Sequence, residues 1–185
     1  YPSIILLGGP NGAGKSTISE EVLAGSLAVD EFVNADVIAR GVSGFVPDGA
    51  AFQAGRIMLA RVRELAAAGV SFAFETTLAS RTFATWLQAA LTMGKSFISC
   101  TCGFVRLKYA FSECVPAFDG ADIMFGGRGS SALRTIRVNF LHLYKPLAKT
   151  WRVYDNSGTE PVAVATGGLN QQEKIYEADT WNKLE

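Results

Sequence analysis

Histidine is almost missing from this chain, cysteine is scarce, and neither sign of charge is in excess. One His and three Cys stand among 185 residues. So few thiols, and an odd number of them, exclude a disulfide framework. A reducing, cytoplasmic setting is the expectation. Lys plus Arg number 17 and Asp plus Glu number 17, for a net charge of zero. That balance excludes a strong grip on a phosphate backbone, so no nucleic-acid partner is expected. No apolar run is long enough to span a bilayer, so no membrane partner is expected either. The opening "YPSIILLGGPNG" lies inside a structural element already, and no signal peptide is expected in it.

What is present is an ordinary globular composition, 49% hydrophobic and 18% charged. It suits a single domain over 1–185 with a full core. "SIILLGG" (3–9) is a continuous apolar run, the pattern of a strand buried on both faces. It passes into glycines and then into "KSTISEEVLAG", a helical pattern closed by Gly25. "EFVNAD" (31–36) reads as a second strand. Asp48 is placed to cap a helix that ends at Gly69. "VSFAFETT" (70–77) is a third strand and "SRTFATWLQAALTMG" (80–94) a further helix. "RVNFLHLYKPLAK" predicts a helix interrupted near Pro146. "WRVYDNSG" (151–158) and "EPVAVATGG" (160–168) read as strands, and 169–185 as a polar tail, helical or frayed. Strands alternating with helices predict a three-layer α/β fold with a central, mainly parallel sheet.

The strongest motif is "GPNGAGKS" (9–16), which matches the phosphate-loop pattern in its required setting between a buried strand and a helix. Gly9, Pro10, Asn11, Gly12, Ala13, Gly14, Lys15, Ser16 and Thr17 form the expected nucleotide-binding set. Glycines let backbone N–H groups curl around phosphates, and the helix N-terminus adds its positive end. Lys15 is expected to reach the outer phosphates and the Ser16 hydroxyl to ligate Mg²⁺. Two acids close strands, Asp36 after "FVNA" and Glu75 after "FAF". In an open parallel sheet ligands gather at the carboxyl ends of strands. A kinase acting on a hydroxyl needs a carboxylate there to orient and deprotonate the acceptor. Asp36 suits that base, and Glu75 suits substrate binding or water-mediated support of Mg²⁺. Each also has a plain reading as a strand-end or helix-cap acid.

"GGPNGAGKST", "FVNADVIARG", "GVSFAFETTLASR" and "LYKPLAKTWRVYDNSG", in that order, resemble the zeta toxin family of P-loop kinases over about 3–94 and 139–168. The resemblance implies an ATP- and Mg²⁺-dependent small-molecule kinase, a toxin restrained by a protein antitoxin. UDP-N-acetylglucosamine, a nucleotide sugar, is the implied acceptor. It implies Asp36 as the acceptor-activating base and Lys15 and Ser16 as servants of the nucleotide. It puts Glu75, Thr76 and Arg81 in the substrate segment, Arg40 near the acceptor, and Asp155 and Asn156 near the nucleotide base. Two rivals stand beside it: a nucleotide-binding protein impaired in catalysis, and a P-loop kinase for another metabolite, nucleoside or antibiotic.

The resemblance breaks from about 96 to 137, where the family has a fourth strand, an arginine-rich helix and a lid with a Gly-Gly-His turn. "FISCTCGF" (97–104) stands there instead. Cys100, Cys102 and Cys114 lack the spacing and the fourth ligand of a zinc site. His142 falls in a helical pattern and reads as a packed or surface residue. The degenerate code permits another reading. Shifted to the third base, Gly120–Phe125 allows Gly-Gly-His-Asn-Val and Glu113–Gly120 allows an arginine-rich run. "FISCTCGF" in the same shift allows a buried apolar strand. The expectation is a segment translated out of frame across about 96–137, with 105–137 as an unrecognisable lid.

Overall fold

The computed structural model describes residues 2–15, 29–43, 50–94, 96–102, 129–156 and 158–184. Strand β1 is Ser3–Gly8 and β2 is the short Glu31–Val33. Helix α1 spans Ala35–Val42 and α2 spans Ala51–Ala67. Strand β3, Phe72–Thr76, precedes α3, Thr82–Thr92. Strand β4 is Ser96–Cys102, and α4 runs from Gly129 to Asn139. It widens into a π turn over Phe140–Tyr144, then tightens to a 3₁₀ turn over Lys145–Leu147. Strands β5 (Thr150–Asp155), β6 (Val162–Gly168) and β7 (Gln171–Ile175) follow, and α5 is Ala178–Asn182.

All seven strands join one sheet in the order β2-β3-β1-β4-β5-β6-β7. The first five are parallel, and β6 and β7 run antiparallel. Successive side chains of a strand point to opposite faces. Ile4, Ile5, Leu6 and Leu7 are all buried, as are Phe72, Ala73 and Phe74. Both faces of the central strands are therefore covered, as the expected three-layer α/β architecture requires. Met58, Val62 and Leu65 of α2 and Ala84 and Leu87 of α3 belong to the main core, with Phe72 and Phe74. Gly69 closes α2 at φ 70°, a conformation that favours glycine.

Four sequence expectations change. The second strand stops at Val33, because Asn34 turns its side chain back to cap α1. Asp36 accordingly sits in the first turn of a helix rather than at a strand end. The cap of α2 is Ala50, which offers no side-chain bond, and Asp48 lies outside the described residues. The tail is neither frayed nor simply helical. β7 is exposed along its whole length, with no apolar alternation to betray it. Its ladder with β6 holds it, and beyond it Trp181 and Leu184 are buried in the core. Finally, Ser96–Cys102 is a strand as written, pairing with β1 from Ser3↔Ser96 to Gly8↔Thr101 and with β5 from Ile98↔Thr150 to Cys102↔Tyr154. The predicted interruption near Pro146 is the 3₁₀ turn that follows the π turn.

Candidate active site

The phosphate loop leaves β1 at Gly8 and turns on three glycines with positive φ: Gly9 at 146°, Gly12 at 75° and Gly14 at 72°. Residues with a Cβ rarely adopt such angles, so the loop's path depends on those positions. Gly9 N–H donates to the Thr76 carbonyl at 3.2 Å, tying the loop to the end of β3. Asn156, just past β5, donates from Nδ2 to the Ala13 carbonyl at 3.2 Å. It packs so closely that a Cβ on Gly14 would run into its side chain.

Lys15 is buried, and its ammonium donates to the Pro10 carbonyl at 2.9 Å. Its Nζ stands 3.4 Å from Glu75 Oε1, with side-chain exposures of 5% and 10%. A charge this deep needs a partner, and Glu75 supplies it. The other Glu75 oxygen accepts from Asn34 Nδ2 at 3.0 Å. Asn34 Oδ1 meanwhile accepts from the backbone N–H of Asp36 at 2.8 Å and of Val37 at 3.2 Å. Lys15, Asn34, Asp36 and Glu75 are thus joined at the carboxyl ends of β1, β2 and β3. They meet because β1, β2 and β3 are parallel, with β1 and β3 ending at Gly8↔Thr76 and β2 two positions earlier at Val33↔Phe74.

Asp36 itself is exposed, and Arg40, one turn on, donates from Nε to the Asp36 carbonyl at 3.3 Å. Thr76 Oγ1 accepts from Leu78 N–H at 3.3 Å. Leu78 holds φ 63° while fully buried. A left-handed leucine costs about 1–2 kcal/mol and persists only where its surroundings impose it. Those surroundings are plain. A Cβ on Gly8 would stand 2.6 Å from Leu78 Cδ1, so only glycine fits beneath it. Asn139 Nδ2 donates to the carbonyls of Leu78 at 2.8 Å and Ala79 at 3.0 Å. Tyr144 O–H donates to the Ser80 carbonyl at 2.6 Å. Burial pushes the Tyr144 hydroxyl above the ordinary phenol range, which keeps it a donor. Asn139 precedes the π turn, Tyr144 ends it, and both reach the same loop.

Of the expected site residues, Lys15, Glu75, Thr76, the Asp36 backbone and the Arg40 side chain lie in or beside this network. Asn156 bonds to the phosphate loop and Asp155 closes β5 opposite Val162. Arg81 is exposed at the start of α3, and among the described residues no bond ties it to the Lys15–Glu75 pair. Ser16, Thr17 and residues 103–128 lie outside the described residues, as does Cys114. Among the described residues no group of three His, Cys, Asp or Glu is placed to hold a metal. Asn34, Asn139, Tyr144 and Leu78 were not anticipated. Asn34 had a visible signal, an Asn ahead of an acid and a helical pattern. For the other three nothing local in the sequence gives them away.

No family model matches the sequence, and no curated protein does. Solved structures do. The complex AvrRxo1-ORF1:ORF2 with ATP matches over 99% of this chain at TM-score 0.69 and 17% identity. The same pair with sulphate ions matches at TM-score 0.66 and 18% identity. The PezAT chromosomal toxin-antitoxin system of Streptococcus pneumoniae matches over 98% at TM-score 0.65 and 14% identity, with 77% of that chain covered. The chain spans 63% of the length of the AvrRxo1 structures. At these identities the likeness shows a shared α/β fold.

Proposed function

We propose that this protein is an ATP- and Mg²⁺-dependent kinase that phosphorylates a hydroxyl of a small molecule, with Asp36 as base and Lys15 as phosphate ligand. The observation that carries this reading is the chain of contacts from Lys15 through Glu75 and Asn34 to the Asp36 backbone. It links a buried ammonium to the turn that bears the exposed Asp36, beyond the carboxyl ends of three parallel strands. ATP brings several negative charges to a lysine that now has one carboxylate and one carbonyl. Lys15 then exchanges those partners for the outer phosphates. The acceptor oxygen attacks the γ-phosphorus, its proton passes to an Asp36 carboxylate oxygen, and the bond to the departing ADP oxygen breaks. Glu75, released from Lys15, offers an acceptor to substrate hydroxyls beside Thr76. Arg40 and Arg81, both exposed, stand as the substrate-side cations, and Asp155 and Asn156 border the nucleotide.

Serine hydroxyls and carboxylates are hard-oxygen donors of the kind that suit Mg²⁺. Ser16 would hold the ion, with Glu75 acting through water, and the ion would neutralise charge on the transferring phosphoryl. A nucleotide sugar such as UDP-N-acetylglucosamine is the first acceptor to try, and a protein antitoxin the first partner. The fold shared with a toxin-antitoxin system supports the choice of partner, and the sequence resemblance alone suggests the acceptor.

Acceptor-dependent ATP turnover, compared between wild type and Asp36→Asn, tests the reading. Loss of a general base is expected to cost about 10²–10⁴-fold. Because Asp36 is exposed, the melting temperature should stay within about 2 °C. ATP binding without acceptor-dependent turnover would leave a nucleotide-binding protein instead, and the mass of any product identifies the acceptor. The lid is read from the coding DNA across codons 92–140. Stops or unrelated residues in the shifted frame would end the out-of-frame reading.

A further inference from the structure

We infer that Asn34 is a positioning residue that couples the phosphate side of the site to the acceptor side. The inference rests on the kinase reading. Asn34 is the one side chain among the described residues that touches both halves of the network. Its two ends do different work. The carbonyl oxygen caps α1 through the Asp36 and Val37 N–H groups at 2.8 and 3.2 Å, and so sets the orientation of the turn bearing Asp36. The amide nitrogen donates to Glu75 Oε2 at 3.0 Å, and so sets the rotamer of the carboxylate facing Lys15.

Only an Asn side chain of this length serves both ends. Aspartate would cap the helix as well, but it has no donor for Glu75 and would bring two carboxylates together. Serine or threonine would also cap, but is too short to bridge to β3. When a nucleotide draws Lys15 off Glu75, Asn34 is the contact that keeps Glu75 from following the lysine. The same contact keeps it in register with the Asp36 turn. An enzyme that transfers a group between two substrates loses rate steeply when their holders drift by an ångström. Asn34 therefore acts on turnover rather than on nucleotide affinity, and touches neither substrate.

The test uses the full chain as wild type, Asn34→Asp, Glu75→Gln and the double variant Asn34→Asp with Glu75→Gln. The double variant restores the bond with donor and acceptor exchanged. Asn34→Asp is expected to melt within about 2 °C of wild type, because its cap survives. Its acceptor-dependent kcat should fall about 10–100-fold, with the ATP dissociation constant changed less than about threefold. Its pH profile should shift, since two facing carboxylates share a proton more readily. The double variant should recover kcat at least about fivefold over Asn34→Asp, although each change alone is harmful. A kcat for Asn34→Asp within about threefold of wild type, or a double variant no faster than Asn34→Asp, overturns the inference.

A second readout needs no turnover. In the nucleotide-free protein, Glu75→Gln should move the amide resonances of Asp36 and Val37 through Asn34, and should move them less in the Asn34→Asp background. Equal movement in both backgrounds overturns the coupling. If wild type turns over no acceptor but this amide coupling holds, the kinase reading fails and the link between Glu75 and the α1 cap stands.

Discussion

Two lysine–glutamate pairs sit at opposite ends of this sheet, and their neighbours set them apart. Lys15 and Glu75 are 3.4 Å apart, beside a loop of positive-φ glycines at the ends of parallel strands. Lys145 and Glu173 are closer, 2.7 Å, near the antiparallel end. The Lys145 ammonium also lies 4.7 Å from the Trp151 ring centroid and 4.8 Å from that of Trp181. Those indoles stack on each other at 5.6 Å and 9°. In the first pair, a cation is held by one carboxylate and one carbonyl, which on the proposed reading a triphosphate replaces. In the second, the cation's other partners are two π faces of the core. Charge pairing alone does not mark a site. What marks it is whether something other than solvent can take the partner's place.

The comparison breaks most visibly at the lysines. Lys15→Ala is expected to lower acceptor-dependent turnover by about 10²–10⁴-fold in the folded fraction, read by single-turnover kinetics. If Lys145→Met did the same, the distinction between the pairs would collapse. Next in size, Trp181→Ala should cost about 3–5 kcal/mol of stability by urea unfolding, because the ring is buried and stacked. ATP affinity of the folded protein should hold. Lys145→Met should cost about 1–2 kcal/mol, chiefly lost cation–π attraction, because its ion pair is partly exposed and screened. Its turnover should match wild type.

The smallest expected effect is at Tyr144. Burial raises its hydroxyl above the unfolded value of 10.0. Below that pH the stabilisation from the neutral phenol is fully present. As pH climbs past 10.0, the unfolded chain loses its proton first, and stability falls toward the folded value. Tyr144→Phe should lose about 1 kcal/mol at neutral pH with the bond to Ser80. It should also flatten the alkaline decline measured by urea midpoints between pH 9 and 11.

Much of the first half of this molecule was legible. A continuous apolar run, a glycine loop and a lysine in fixed order need only local chemistry, and β1, the loop and β3 stand where that chemistry puts them. Helix α3 and strands β5 and β6 follow the same rule. Boundaries set by side-chain capping were harder. "EFVNAD" reads as one strand until Asn34 is seen to fold back on Asp36 and Val37. β4 and β7 carry weak local signals, small and polar residues in one and exposed ones throughout the other. Their place depends on neighbours, since β4 fills the slot between β1 and β5.

The sequence by itself determined that this chain builds a parallel sheet with a phosphate loop, because period, glycine placement and motif spacing act over a few residues. Tertiary structure decided which polar groups meet. Asn34 reaches Glu75 across 41 positions, Asn139 reaches Ala79 across 60, and Asn156 reaches Ala13 across 143. Crossovers between parallel strands create those contacts. No local pattern encodes them, because each partner's type suits many other places in a fold.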